Sequence, residues 1–71
     1  MNCSIYFVRG VYSYSPIQQL FEVVVITDES GVRSCRGNGL GEMRCEVEND
    51  EQAIRQILAP WGVEVTSIVE R

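Results

Sequence analysis

The sequence predicts a small two-layer α+β domain, in which one helix at about residues 50–59 packs on one face of a mostly antiparallel sheet of about three or four strands. Two patterns indicate this fold. Short segments in which apolar and polar residues alternate are typical of half-buried strands. Between two of these segments, apolar residues recur at helical spacing, as in a helix with one buried face. Such a helix needs an apolar surface to cover, and one face of a sheet provides it.

The first predicted strand runs from Cys3 to about Arg9, or onward to Tyr12. Apolar residues occur in both of its alternating sets, so we expect one face to be covered and the other to be partly covered. Gly10 is expected to bend the strand or to mark a β-bulge. The residues up to Pro16 are expected to form a loop or a strand edge, because proline lacks a backbone donor.

The second predicted strand, residues 20–27, is the strongest of the chain because it contains a run of β-branched residues. It is apolar on both faces, so we place it centrally in the sheet. Residues 28–31 then form a turn, and a hairpin partner follows at 32–36. Three alternate glycines in 37–41 lead to a further extended segment, 43–48. Because no helix follows these glycines directly, they indicate a hairpin loop and not a phosphate-binding loop.

The helix is predicted to begin after Asn49, a suitable N-cap, and Gln52 completes a capping box. Pro60 and Gly62 are expected to end it. The residues predicted to share its apolar stripe are Ala53, Ile54, Ile57 and Leu58, with Trp61 at the end. A last strand follows, and its predicted register places Val63, Val65, Ser67 and Val69 together. This strand is expected either beside the strand that precedes the helix or on the far edge of the sheet.

Composition disfavours several classes of function. The chain of 71 residues makes one domain, 1–71, with a formal net charge of −4. This charge disfavours binding to nucleic acids and to anionic membranes, whose phosphates attract basic proteins. All six basic residues are arginine and there is no histidine, so the commonest general base, the commonest metal ligand and a Schiff-base amine are missing. We therefore expect no enzyme activity, no cofactor and no metal site.

The three cysteines, Cys3, Cys35 and Cys45, lack the close pairs of a zinc site. We expect them to pack as small apolar side chains with free thiols. The chain shows no recognisable secretion signal or membrane span, so the expected location is the cytoplasm, where thiols stay reduced. If the hairpin turns around Leu40, Cys35 and Cys45 face each other, and a disulfide between them is the alternative in an oxidising compartment.

The remaining surface residues favour a protein-binding module. Tyrosine is among the residues that dominate binding in protein interfaces. Acidic residues near the helix start form a second candidate contact surface, suited to a basic partner. The candidate partner-binding residues are Tyr12, Tyr14, Glu46, Glu48, Asp50 and Glu51. We expect the partner to be a larger protein or complex, and homo-oligomerisation would bury the second face of so thin a sheet.

Nucleic-acid binding is the alternative function. Arg33, Arg36 and Arg44 fall on one predicted hairpin, in a segment whose one acidic residue is Glu42. The local charge is positive although the total is not, and nearby tyrosines could stack on unpaired bases. Binding that weakens steeply with salt would favour this alternative.

An acidic-capped helix, a glycine and a strand of the form E-V-T occupy residues 47–54 (VENDEQAI) and 62–66 (GVEVT). This layout, which covers about the last 25 residues, resembles the C-terminal part of small phage-encoded inhibitors of bacterial RNA polymerase. Those inhibitors grip the polymerase with arginines in the final strand, where this chain has Ser67 and Val69, so no functional residue carries over. The resemblance implies a small acidic inhibitor of host machinery, a class that includes anti-CRISPR proteins.

Overall fold

The computed structural model describes all 71 residues and shows one helix packed on a five-stranded antiparallel sheet. The elements are β1 (Asn2–Tyr12), β2 (Gln18–Thr27), β3 (Arg33–Gly37), β4 (Gly41–Cys45), α1 (Asp50–Leu58) and β5 (Val63–Glu70), with a single 3₁₀ turn, Ala59–Trp61, after α1. The strand order is β4-β3-β2-β1-β5, which places β5 on the far edge. The predicted α+β class is confirmed. Every predicted extended segment is a strand, which makes five strands where three or four were expected.

The core lies between α1 and one face of the sheet, which we call the covered face. Nine buried residues form it: Val8, Val23, Val25, Cys35 and Cys45 from the sheet, and Ala53, Ile54, Ile57 and Leu58 from the helix. β2 contributes two of them from the centre of the sheet, as its β-branched sequence predicts. Because only ten of the 71 residues are buried, this one layer supplies nearly all of the hydrophobic stabilisation.

The helix begins and ends at its capping residues. The Asn49 side-chain oxygen accepts a hydrogen bond from the Gln52 amide at 2.9 Å, and the Gln52 side-chain oxygen accepts one from the Glu48 amide at 3.1 Å. This is the predicted capping box, except that the Gln52 side chain binds the amide of Glu48, the residue before the N-cap, and not the amide of Asn49 itself. At the other end, Pro60 lies in the 3₁₀ turn, and Gly62 has a φ of 71°, a left-handed conformation that favours glycine.

The β3–β4 hairpin was expected to turn around Leu40, but it turns around Gly39, because Gly37 pairs with Gly41. Gly39 and Gly41 both have a φ of 80°, which glycine adopts without strain. The turn is therefore placed where its glycines allow it, and the register differs by two residues from the expected one.

The two core cysteines are diagonal neighbours on the covered face and do not face each other. Cys35 pairs with Met43, and Cys45 pairs with Arg33 at the start of β3. All three cysteines of the chain are free thiols, and two of them are buried. Because β3 begins at Arg33, β4 has no partner beyond Cys45, so it ends there and not at Glu48 as predicted.

A β-bulge in β5 lies opposite Gly10. The pairing of β1 with β5 shifts between Arg9 and Gly10, which leaves Thr66 as the extra residue. Gly10 is buried and has no room for a side chain, since a Cβ would lie 2.6 Å from the Val63 Cγ1 atom and 2.8 Å from the Glu64 carbonyl oxygen. The bulge expected at Gly10 is thereby confirmed.

Beyond the bulge, the alternation of β5 is displaced by one residue. Val63 and Val65 pack against the core, and the next residue to do so is Ile68. Ser67 and Val69 therefore face away from the helix, and the single register predicted for the last strand is wrong. A one-residue insertion has this effect because side chains alternate between the two faces of a sheet.

Substitution of Gly10 by alanine tests the close approach at the bulge. We expect Gly10→Ala to lower the free energy of unfolding by about 2–3 kcal/mol, because a methyl group there collides with a backbone carbonyl of the neighbouring strand. Gly39→Ala is the matched control: nothing lies within 4 Å of its Cβ position, and its cost is backbone strain of about 1 kcal/mol. Urea denaturation measures both, and a loss at Gly10 no larger than that at Gly39 contradicts the bulge geometry.

Candidate functional site

The residues predicted to bind a partner lie at the two ends of α1. Tyr12 ends β1 and Tyr14 lies in the turn that follows, and the Ser13 amide donates a hydrogen bond of 2.9 Å to the Gly62 carbonyl oxygen, beyond the helix C-terminus. The acidic residues precede or begin the helix. The nine residues of α1 rise by about 14 Å, so the two groups form separate surfaces.

The two tyrosines form a stack that rests on the core. Their ring centroids are 5.2 Å apart, with an angle of 21° between the ring planes. Tyr12 also forms a T-shaped contact with the Phe21 ring, with a centroid distance of 6.1 Å, and Phe21 packs against the core. Tyr14, in contrast, is 80% exposed. The stack therefore presents one ring to the solvent on a base that the core holds in place.

Trp61 is a surface aromatic residue that the sequence interpretation placed wrongly. Helical spacing assigns it to the apolar stripe of α1, but its side chain is 49% exposed. The helix ends at Leu58, and the tighter 3₁₀ turn that follows moves Trp61 off the stripe. Pro60 and Gly62 on either side are the signals that could have identified this turn. Because Trp61 adjoins Gly62, it lies next to the turn that carries the tyrosines.

We call this region the aromatic end and define it by Tyr12, Tyr14 and Trp61. A shallow cavity of about 520 Å³ lies between the turn after β1 and the start of β5. It is lined by residues 11–16, Gly62 and Glu64, so a single carboxylate borders a surface of rings and small side chains. Such a surface has the chemistry of a protein contact, in which aromatic anchors are surrounded by polar groups.

Glu46, Glu48 and Glu51 are exposed around the beginning of α1, and we call them the acidic start. The first two border a shallow depression of about 530 Å³ that also includes Gln52 and Arg55. Glu51 and Arg55 lie 4.0 Å apart, and both are more than half exposed, so their attraction contributes little to stability. These three carboxylates are accessible to another molecule, and their contact with a partner stays a prediction.

Asp50 has a different position from the other predicted acidic residues. One of its carboxylate oxygens accepts a hydrogen bond of 2.6 Å from the Arg33 Nε atom, and the other accepts one from the Tyr6 hydroxyl. Arg33 also donates from Nη1 to the Val47 carbonyl oxygen at 3.1 Å. Burial, and then the hydrogen bond to Asp50, raise the pKa of Tyr6 to about 12. Asp50 thus fastens the start of the helix to β1 and β3, and we leave it out of the proposed contact surface.

The structure separates Arg33 from the other two arginines of the nucleic-acid alternative. Arg33 lies on the covered face in an ion pair, whereas Arg36 and Arg44 alternate onto the opposite face. Tyr6 is bonded beneath the helix, and Arg9 lies on the other side of the sheet. Arg9, Arg36 and Arg44 therefore share one face, on which Glu22 and Glu42 also lie, and nucleic-acid binding there stays a prediction.

The face of the sheet opposite the helix, which we call the open face, exposes apolar side chains. Phe7, Leu20 and Val69 are 37%, 62% and 57% exposed. With Arg9 and Ser67 they line a shallow groove of about 470 Å³ that runs across β2, β1 and β5. No other part of the chain packs over these residues, so this face is available to another molecule.

Three further findings bear on the functional class. No three His, Cys, Asp or Glu side chains are grouped so that they could hold a metal ion. None of the helices has the length and the apolar character needed to cross a bilayer. Comparison with protein-family models, with curated proteins and with solved structures found no match for this chain. The geometry of the chain itself is therefore the basis for assigning a function.

Substitution of Asp50 tests its structural role. We expect Asp50→Asn to lower the free energy of unfolding by about 1.5–3 kcal/mol, because it weakens charge-assisted hydrogen bonds in a partly buried site. Glu51→Gln, one residue along, is the control and is expected to cost at most about 0.5 kcal/mol, since its ion pair is exposed. Urea denaturation at neutral pH measures both. Equal effects of the two substitutions would contradict the assignment of Asp50 to the fold.

Alkaline pH is expected to destabilise the protein through its buried thiols. Burial, and then the neighbouring Cys45, raise the pKa of Cys35 from 9.0 to about 12, and burial also raises the pKa of Cys45. Above about pH 9 the unfolded chain loses these protons while the folded chain keeps them. The stabilising contribution is therefore complete below about pH 9 and is lost as the pH rises toward 12.

Urea denaturation at several pH values measures this loss. We expect the free energy of unfolding to fall from about pH 9 upward, with one thiol contributing up to about 1.4 kcal/mol per pH unit. Cys35→Ala is expected to be less stable at pH 7 because it leaves a cavity, but to show a shallower fall above pH 9. If the free energy of unfolding falls equally steeply with pH in the wild type and in Cys35→Ala, the Cys35 thiol is not the cause of the alkaline destabilisation.

Proposed function

We propose that this protein is a non-enzymatic protein-binding module that inhibits a larger protein by covering part of its surface, with the aromatic end at the centre of the contact. The observation that supports the proposal is the stack of the exposed Tyr14 on Tyr12, on a turn that is hydrogen-bonded to Gly62, the residue after the half-exposed Trp61. Tyrosine and tryptophan are the residues that most often dominate the binding energy of protein interfaces. Their concentration at one end of the fold makes that end the best candidate for an anchor.

The rigidity of the aromatic end favours binding. Tyr12 makes a T-shaped contact with Phe21, and the hydrogen bond from Ser13 to Gly62 ties the turn to the segment that follows the helix. Ordering a mobile side chain at an interface costs about 0.5–1.5 kcal/mol. A ring that is already stacked avoids much of this cost, so more of its contact energy contributes to affinity.

The charge of the chain favours a basic partner. The net charge is −4, and the acidic start adds three exposed carboxylates to the side of the molecule that carries α1. At the aromatic end itself, Glu64 borders the cavity beside the tyrosines. Complementary charge around an interface speeds encounter and selects the partner more than it raises affinity. We therefore propose a partner that has an apolar pocket for an aromatic ring, surrounded by lysine and arginine.

The mode of action follows from the size of the contact. A specific interface covers about 800 Å² on each partner, and a rigid module of 8.0 kDa bound there blocks whatever that surface otherwise binds. Inhibition by occlusion requires only affinity and correct placement. It is also the activity that the resemblance of the C-terminal residues to small phage-encoded inhibitors implies.

Affinity capture from an extract of the source cells with matched baits tests the proposal. The wild-type bait is expected to retain a protein that a Tyr14→Ser/Trp61→Ala bait loses, since both side chains are exposed and their replacement leaves the core intact. Gln56→Ala, on the exposed side of α1, is the control bait and is expected to behave as the wild type. With the purified partner, each aromatic substitution is expected to raise Kd about tenfold or more.

Two outcomes would contradict the aromatic end as the contact. One is a partner that the wild-type bait and the double variant capture equally well. The other is the absence of any protein that the wild-type and Gln56→Ala baits retain in common. Circular dichroism and urea denaturation of all three baits would establish that each is folded, so a loss of capture reports on the surface.

A further inference from the structure

We infer that the open face is a dimer interface, which binds the open face of a second copy of this chain. Its apolar centre lies apart from Tyr12, Tyr14 and Trp61, although Glu64 borders both surfaces, so the inference does not depend on the proposed function. Its centre is the groove of Phe7, Leu20 and Val69, whose side chains are exposed in the single chain. Ile5 and Val24 face each other across β1 and β2 and extend the apolar surface along the sheet.

The open face is electrically balanced, unlike the rest of the chain. By strand register it carries Arg9, Arg36, Arg44, Glu22, Glu42 and Glu64. Its three arginines offset its three glutamates, so the net charge of −4 belongs to the other surfaces. Two copies that approach each other through those acidic surfaces meet a net repulsion, which the open face does not impose. The open face is therefore where a second copy meets the least electrostatic opposition.

Both signs of charge border the apolar centre, as a symmetric contact requires. Arg9 of β1 pairs with Leu20, and Glu22 of β2 pairs with Phe7, so the two charged residues are diagonal neighbours on adjacent strands. Neither of them forms an ion pair within the chain. In a two-fold interface a patch meets itself, so the arginine of each copy can meet the glutamate of the other. A partner with a single sign of charge would leave one of the two unpaired.

The open face is large enough for a dimer contact at the small end of the range of specific interfaces. The molecule measures 39 × 23 × 20 Å, and β1, with 11 residues, spans about 36 Å, so the strands run along the longest dimension. Because β3 and β4 have five residues each, the 39 strand residues give the open face a projected area of about 600 Å², and a specific interface of standard size takes about 800 Å² of accessible surface from each partner. A face-to-face dimer uses nearly all of this surface and gives the sheet a second apolar layer.

Sedimentation equilibrium over a range of concentrations tests the inference. We expect the wild type to form a species of twice 8.0 kDa at micromolar concentration, and Leu20→Glu and Val69→Glu to raise the dimer Kd about tenfold or more, because each places a charge in the apolar centre. Ile17→Glu is the matched control, since Ile17 is 66% exposed and lies outside the strands of the open face. It adds the same charge and is expected to leave the dimer intact.

A mixing experiment tests the symmetric arrangement. Arg9→Glu and Glu22→Arg are each expected to dimerise weakly, because each brings like charges together across the interface. A 1:1 mixture of the two is expected to form a heterodimer, since each copy then supplies the charge that the other lacks. Contacts between isotope-labelled and unlabelled copies, detected by NMR at the Phe7 ring, would identify the face directly.

Several outcomes would overturn the inference. A wild type that stays monomeric up to about 100 μM, well above a micromolar Kd, would show that no second copy covers this face. A dimer that survives both Leu20→Glu and Val69→Glu would use another surface, and a mixture that fails to restore dimerisation would exclude the two-fold contact. The Tyr14→Ser/Trp61→Ala variant should dimerise normally, so failure here and failure of the proposed function are distinguishable.

Discussion

The packing of α1 on the covered face is the interaction on which the rest of the structure depends. A helix of nine residues is too short to be stable in water by itself, so its apolar stripe must be held by the sheet. The hydrogen bonds of Asp50 to Arg33 and Tyr6 add a polar attachment at the start of the helix. The apolar packing and these hydrogen bonds together fix the position of α1. The position of its C-terminus in turn places Gly62 against the turn that carries the tyrosines.

The features that the sequence predicts well are those that depend on neighbouring residues. The β-branched run of β2, the cap at Asn49 and the turn before β3 were all correct, because each is decided by local propensity or by a hydrogen bond within a few residues. The register of the β3–β4 hairpin and the displaced alternation of β5 after the bulge have another cause. They depend on which strands lie side by side, and a shift of one or two residues leaves the local pattern almost unchanged.

In the candidate site, too, the sequence identifies residue types but not the contacts that depend on the fold. Tyr12 and Tyr14 were identified by their residue type, and the structure adds the stack and its support on the core. The sequence pattern groups Asp50 with its acidic neighbours, because it does not show that Arg33 and Tyr6 lie opposite the helix start. Trp61 has an apolar side chain at helical spacing, and only the end of the helix three residues earlier leaves it exposed. The partition of charge between a neutral face and an acidic remainder likewise appears only once the strands are aligned.

The bulge in β5 also changes the free edge of the sheet. A regular edge strand presents a row of unpaired amides and carbonyls to which a strand of another molecule can be added. Thr66 interrupts this row within β5, and the opposite edge is β4, which has five residues and carries the charged Glu42 and Arg44. Neither edge offers a long, straight template, so the addition of one molecule to the next in an amyloid-like fibril is hindered. An inserted residue that accommodates the packing beside Gly10 thus also protects the protein against aggregation.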